Sequence, residues 1–65
     1  MLARDMNQTE KDELLKYWHT ARIAGHMTRF DRLNYAVSEF VKTHPEYNRT
    51  GVYKLISDVT VGYGL

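Results

Sequence analysis

The chain has 65 residues, contains no cysteine and carries nine Lys and Arg against eight Asp and Glu, which gives a formal net charge of +1. This length allows one domain, and the lack of cysteine excludes disulfides and thiolate metal sites. The near balance of charge argues against a histone-like protein that binds nucleic acid by charge alone. A domain this small buries only about 60% of the surface that its unfolded chain exposes, so we expect homo-oligomerisation to add stability.

No run of apolar residues approaches the roughly 20 that a membrane-spanning helix needs, so we expect no membrane association. The start, MLARDMNQ, lacks the basic residues and apolar stretch of a secretory signal, which favours a cytoplasmic protein. Near the C-terminus, TVGYG matches the selectivity filter of potassium channels, but that motif works only within a ring of membrane-spanning helices. We expect a compact bacterial, phage or plasmid gene product from a chain of this length that begins with methionine, and the alternative is an isolated domain of a larger protein.

The first predicted helix begins at Thr9, after a polar segment over residues 1–8 that we expect to be flexible. Thr9 has Asp12 three positions later, which is the spacing of a helix cap followed by an acidic first turn. At 100° per residue, an apolar face forms and Ile23 points away from it. The residues of this face are Leu14, Tyr17, Trp18 and Ala21. Gly25 is a suitable end for the helix.

The second predicted helix begins after Thr28, which repeats the start signal with Asp31 three positions later. It carries the strongest apolar stripe of the chain, which consists of Phe30, Leu33, Val37, Phe40, Val41 and His44. Pro45 disfavours helical geometry at the residue before it, so we expect this helix to end near Lys42 or Thr43.

The third predicted helix follows a connector over residues 44–51 and is capped by Asn48 or Thr50. Its apolar residues are Val52, Leu55, Ile56 and Val59. The sequence therefore predicts an all-α, small three-helix bundle over residues 9–59, with a short apolar C-terminal tail over residues 60–65. We expect the core to contain Trp18, Phe30, Leu33, Val37, Phe40, Leu55 and Ile56.

Catalysis has no support in the sequence. The three histidines, His19, His26 and His44, do not have the spacing of a His-Glu-x-x-His metal site, and His44 is expected to cap or pack the end of the second helix. Ser38 and Ser57 lie in no G-x-S-x-G turn, and the glycines form no phosphate loop. We therefore expect a protein that is not an enzyme and that uses no metal or other cofactor.

Positive charge is concentrated in two parts of the sequence. One group surrounds the junction of the first two helices, and the other surrounds the connector, where Tyr47 and Tyr53 are interleaved with it. Basic side chains contact phosphates, and tyrosines stack on bases. The order of helix, connector and helix is also that of a helix-turn-helix unit, although the connector is about twice the usual length.

These features predict a small nucleic-acid-binding protein, DNA-binding and regulatory, that uses the connector and the third helix. The expected contact residues are Arg22, Arg29, Arg32, Lys42, Arg49, Tyr53 and Lys54. An ordinary solvated face accounts for the same basic residues. The alternative function is a protein-interaction module, an inhibitor or adaptor, that binds a protein partner or a second copy through apolar residues outside the core. The candidates for that contact are Ile23, Tyr35, Tyr63 and Leu65.

Overall fold

Three α-helices make up most of the part of the chain that the computed structural model describes, which is residues 6–25 and 28–63. The elements are α1 (Gln8–Ile23), α2 (Arg29–Thr43), α3 (Arg49–Val59) and a single 3₁₀ turn, Val61–Tyr63. No strand occurs within the described residues. The expected all-α three-helix bundle is confirmed. None of the described helices combines the length and the apolar character that crossing a membrane requires.

The start of α1 differs from the expectation. Asn7 caps the helix, because its side chain accepts a hydrogen bond from the N–H of Glu10 at 2.8 Å. Glu10 Oε1 in turn accepts one from the N–H of Asn7 at 3.1 Å, which completes a capping box. The prediction that Thr9 caps α1 is wrong, because the Asn-x-x-Glu pattern two residues earlier satisfies two backbone donors at once.

Both ends of the folded region extend into the segments expected to lie outside it. Met6, within the segment 1–8, is buried in the core. Thr60, within the segment 60–65, is also buried, and its hydroxyl donates to a carbonyl in the last turn of α3 at 2.7 Å. Residues 1–5, Gly64, Leu65 and the side chain of Tyr63 lie outside the described part, and so do the expected contacts of Tyr63 and Leu65.

The boundaries of α2 and α3 agree with the sequence signals. Thr28 caps α2 by accepting a hydrogen bond from the N–H of Asp31 at 3.0 Å, and α2 ends at Thr43. Asn48 caps α3, and its side chain accepts from the first free backbone donors of that helix. The connector is therefore His44–Asn48, which is shorter than the expected segment 44–51.

The core is built around α2, which packs against both α1 and α3. Its buried side chains are Met6, Leu14, Trp18, Ala21, Leu33, Ala36, Val37, Phe40, Tyr47, Val52 and Ile56. The Cα radius of gyration is 10.8 Å, close to the roughly 11 Å expected of a folded domain of this length. One chain therefore closes its own core, and the small size of the domain does not by itself require a second copy.

Two predicted core residues are not in the core. Phe30 is 64% exposed and lies in the first turn of α2. Leu55 is half-buried and packs at the edge of the core. Val59, which was assigned to the inward stripe of the third helix, is 43% exposed at the end of α3. The apolar stripes thus continue past the ends of the packed region.

Helices α2 and α3 form an antiparallel αα-hairpin. Nη2 of Arg29 donates to the carbonyl oxygen of Ser57 at 2.6 Å, and Nη2 of Arg49 donates to Oγ of Ser38 at 2.9 Å. At about 1.5 Å per residue, these two contacts lie roughly 12 to 14 Å apart along each helix. The two helices of a helix-turn-helix unit cross at about 90 to 120°. The resemblance of α2, the connector and α3 to such a unit stays a prediction.

Candidate interaction surfaces

The antiparallel order of the helices gives the bundle two ends of different character. Glu13 of α1 contacts His44, so the start of α1, the end of α2 and the connector share one end, which we call the connector end. Arg29 contacts Ser57, so the start of α2 and the end of α3 share the other. The end of α1 joins them there through a short turn. We call this the apolar end, and its exposed apolar residues are Ile23, Phe30, Val59 and Val61.

The apolar end holds all the large apolar side chains that are exposed in the described part of the chain. Ile23 is 87% exposed, Phe30 64%, Val59 43% and Val61 72%. Single exposed apolar residues are common on soluble proteins, whereas a group of them marks a binding surface. The prediction that Ile23 points away from the core is confirmed. The exposure of the other three was missed, because their helical spacing is the same as that of buried apolar residues.

Phe30 is the residue at the apolar end that is best held in place. Its ring lies 6.1 Å from that of Tyr53, at an interplanar angle of 60°, which is a favourable tilted arrangement. Tyr53 itself packs against the core. Gly25, with φ +88°, turns the chain between α1 and α2 in a conformation that other residues rarely adopt. The side chain of Phe30 is therefore supported by α3 on one side and exposed to solvent on the other.

At the apolar end, Arg29 joins the start of α2 to the end of α3. Its Nη2 donates to the Ser57 carbonyl at 2.6 Å and lies 3.3 Å from Ser57 Oγ and 3.4 Å from Thr60 Oγ1. A cation is favoured at the C-terminal end of a helix, where backbone carbonyls lack helical partners. Arg29 is half-buried and its guanidinium contacts α3, and its expected contact with nucleic acid stays a prediction.

Charges of both signs surround the apolar end. Arg22 lies in the last turn of α1 and Asp58 in the last turn of α3, and both are exposed. Within the described residues, no ion pair engages either side chain. Asp31 lies in the first turn of α2, where the helix dipole favours a negative charge. The rim of the apolar end is therefore mixed in sign.

At the connector end, His44 joins α1 to α2. Its ring stacks on that of Phe40, with the centroids 4.2 Å apart and the planes at 5°. Its Nδ1 lies 3.2 Å from Glu13 Oε2 and 3.2 Å from the carbonyl oxygen of Phe40. The ring therefore lies between groups of α1 and of α2 at the connector end. The prediction that His44 caps or packs the end of the second helix is confirmed.

Tyr47 joins the connector to the start of α1 by a contact with Glu10. Its ring is buried, and its hydroxyl donates to Glu10 Oε1 at 2.8 Å. This hydrogen bond, followed by the one from the N–H of Asn7, holds the pKa of Glu10 below its ordinary value. The sequence placed Tyr47 among the basic residues of a contact surface. Its buried position was missed, because a connector residue belongs to no helical stripe.

The seven predicted contact residues are distributed along the bundle rather than gathered at one place. Lys42 lies in the last turn of α2 and pairs with Glu39 at 2.7 Å, a hydrogen bond and charge that raise the pKa of Lys42. Arg22 is exposed at the apolar end, and Arg32 is half-buried on α2. Three of the seven lie on α3, and these are Arg49, Tyr53 and Lys54.

In the described part of the chain, neither a metal site nor a similarity to other proteins indicates a known activity. Among the described residues, no group of three or more His, Asp and Glu side chains is arranged to hold a metal ion. Comparison of the chain with protein-family models, with curated proteins and with solved structures finds no match.

Proposed function

We propose that this protein is a protein-interaction module that binds its partner through the apolar end. The observation that carries the proposal is the grouping of four exposed, large apolar side chains at one end of the bundle, among the described residues. Binding surfaces concentrate their energy in a few residues, and aromatic side chains are prominent among them. Phe30 has the properties of such a residue, because its ring is exposed and is supported by Tyr53.

The polar contacts favour this function over nucleic-acid binding. Arg29 donates to backbone and hydroxyl oxygens of the protein itself, and Lys42 is paired with Glu39. Arg49 donates to Ser38 at 2.9 Å. A phosphate must compete with these internal acceptors, which reduces the gain from each contact. The net charge of +1 adds little long-range attraction for a polyanion.

The proposal is tested by selecting helical peptides from a random display library for binding to the immobilised protein. Selected peptides bind preferentially at surfaces that are built for interaction. We expect amphipathic sequences whose binding changes the NMR amide signals of Ile23, Phe30 and Val61. The double variant Phe30→Ser, Val61→Ser should weaken binding by at least about tenfold, because both substitutions remove exposed apolar surface.

The matched control is Lys16→Ser, which changes an exposed residue in the middle of α1. This variant should bind the selected peptides as the wild type does. Circular dichroism of each variant confirms that the helices remain. Peptides that bind along α3 instead, or a selection that yields no binder, would contradict the proposed function.

We propose nucleic-acid binding as a second candidate function, and the observation that favours it is that α3 carries two exposed basic residues, Arg49 and Lys54, together with Tyr53. We propose a direct test by measuring the affinity for duplex DNA at several salt concentrations. A contact surface here predicts a log–log slope of about −0.9 for each phosphate contact. The double variant Arg49→Glu, Lys54→Glu should weaken binding, whereas Lys11→Glu, Lys16→Glu on α1 should not. An absence of DNA and RNA binding at low salt would exclude this second function.

A further inference from the structure

We infer that the occupant of the apolar end is a second copy of this chain, so that two bundles meet end to end about a two-fold axis. The inference rests on the proposed function, because it names the partner of the same surface. It depends on three properties of that end, which are the signs of its rim charges, its area and its difference from the connector end.

The rim charges of the apolar end complement one another. Arg22 and Asp58 are exposed on different helices at this end, and no ion pair within the described residues engages them. A two-fold axis that lies midway between these two side chains places Arg22 of one copy opposite Asp58 of the other, and the same pair then forms twice. An acidic or a basic partner leaves one of these two charges facing a like charge, which is unfavourable.

The size of the apolar end fits a reversible dimer. The bundle measures 30 × 22 × 19 Å, so its end has a cross-section of roughly 400 Å², about half of the 800 Å² per partner in a standard interface. Small interfaces belong to weak and transient complexes. A dissociation constant on the order of 10 to 100 µM is therefore expected, rather than a permanent dimer.

The contrast with the connector end limits the assembly to two copies. Among the described residues, no large apolar side chain is exposed at the connector end. The apolar side chains at the edge of the core there are half-buried. A contact between two apolar ends uses the same surface on both copies and leaves only connector ends outside. Such an isologous contact closes on itself, whereas a head-to-tail contact continues into filaments.

The first test is sedimentation equilibrium from about 1 µM to about 1 mM of the full chain, a range that brackets the expected constant. The average mass should rise from that of the 7.7 kDa chain toward twice that value. Phe30→Ser, Val61→Ser should raise the dissociation constant by at least about tenfold. Lys16→Ser, in the middle of α1, should leave the constant unchanged. Circular dichroism confirms that each variant remains folded.

The second test exchanges the rim charges. Arg22→Asp alone and Asp58→Arg alone should each raise the dissociation constant about 5- to 10-fold, because each places like charges opposite one another twice. An equimolar mixture of the two variants should recover the wild-type constant, since both opposite-charge pairs form again in the mixed dimer. Lys16→Asp serves as the control for a charge reversal away from the interface.

The outcomes separate this inference from the proposed function. Concentration-dependent dimerisation that is lost in Phe30→Ser, Val61→Ser and recovered in the mixture of charge variants supports the second copy as the partner. A monomer throughout the concentration range overturns it. If the chain stays monomeric while selected peptides still bind at the apolar end, the proposed function stands and the partner is a different protein. If neither occurs, both are wrong.

Discussion

The two ends of the bundle use similar residues in opposite ways. At the connector end, His44 and Tyr47 turn their polar atoms toward Glu13 and Glu10 and bury their rings. At the apolar end, the ring of Phe30 contacts that of Tyr53, but most of the Phe30 surface is exposed to water. Aromatic residues near a helix boundary thus become structural where the connector folds back over them, and stay available for binding where the ring is left in water.

The difference also explains how so short a chain holds its helices together. The connector end is closed by hydrogen bonds that join residues far apart in sequence, such as Tyr47 with Glu10. In the described part of the apolar end, the comparable long-range hydrogen bond is the one that Arg29 of α2 donates to Ser57 of α3. The stability of the bundle should therefore depend strongly on the core and on the connector end, and weakly on the exposed residues of the apolar end.

The largest expected effect distinguishes two phenylalanines of the same helix. Phe40 is fully buried and stacks on His44, so Phe40→Ala should lower the free energy of unfolding by about 3 to 5 kcal/mol. Phe30→Ala should lower it by less than about 1 kcal/mol, because most of the ring is already in water. Thermal or denaturant unfolding of both variants measures this difference. Equal losses would show that Phe30 belongs to the core and would remove the contrast between the two ends.

A smaller effect is expected for Arg29, the polar residue that fixes α2 to α3. Arg29→Met keeps much of the side-chain volume and removes the hydrogen bonds to Ser57 and Thr60. It should lower the free energy of unfolding by about 1.5 to 2 kcal/mol. The control Arg22→Met should cost less than about 0.5 kcal/mol, because Arg22 is exposed. If the two variants are equally stable, Arg29 is a free surface cation after all.

The cap of α1 provides a test at the connector end. Asn7→Ala removes the side chain that accepts from the N–H of Glu10, and it should cost about 1 kcal/mol. Thr9→Ala, in the first turn, should cost less than about 0.5 kcal/mol, because Thr9 does not cap the helix. Chemical denaturation of both variants makes the comparison. A larger loss for Thr9→Ala would place the start of α1 where the sequence pattern first indicated it.

The smallest expected effect is a change in pH dependence. Because the pKa of Glu10 is lowered in the folded state, chiefly by the Tyr47 hydroxyl, this contact stabilises the protein above the ordinary carboxyl pKa of about 4.3. The stabilisation is lost as the pH falls through the lowered pKa. Tyr47→Phe should therefore unfold at a lower temperature than the wild type near neutral pH, and the two should converge in acid. A constant difference at all pH values would contradict the role of Glu10.

The helices could be predicted because their signals are local. Thr28, Asn48 and Pro45 mark boundaries through backbone chemistry that does not depend on the rest of the fold. The stripe of Leu33, Val37 and Phe40 follows helical periodicity, and all three are fully buried.

The two ends could not be predicted, because their character depends on contacts between distant residues. Periodicity places Phe30 on the same stripe as Phe40 and cannot show that the core stops before the first turn of α2. Tyr47 has no periodic neighbours, so its burial over Glu10 depends on how the connector folds back. The sequence shows where the basic residues lie along the chain, but not which of them contact other parts of the protein. Arg29 is used internally because of the antiparallel pairing of α2 and α3.

The most direct test of the account is a series of NMR amide spectra recorded as the protein concentration rises from about 10 µM to about 1 mM, across the expected dissociation constant. The account predicts that signals at Ile23, Phe30 and Val61 move with concentration, because the apolar end becomes covered by a second copy. Signals at the connector end, such as those of Glu10 and Tyr47, should stay constant. Shifts centred on the connector end, or spectra that do not change with concentration at all, would contradict an apolar end that binds a second copy.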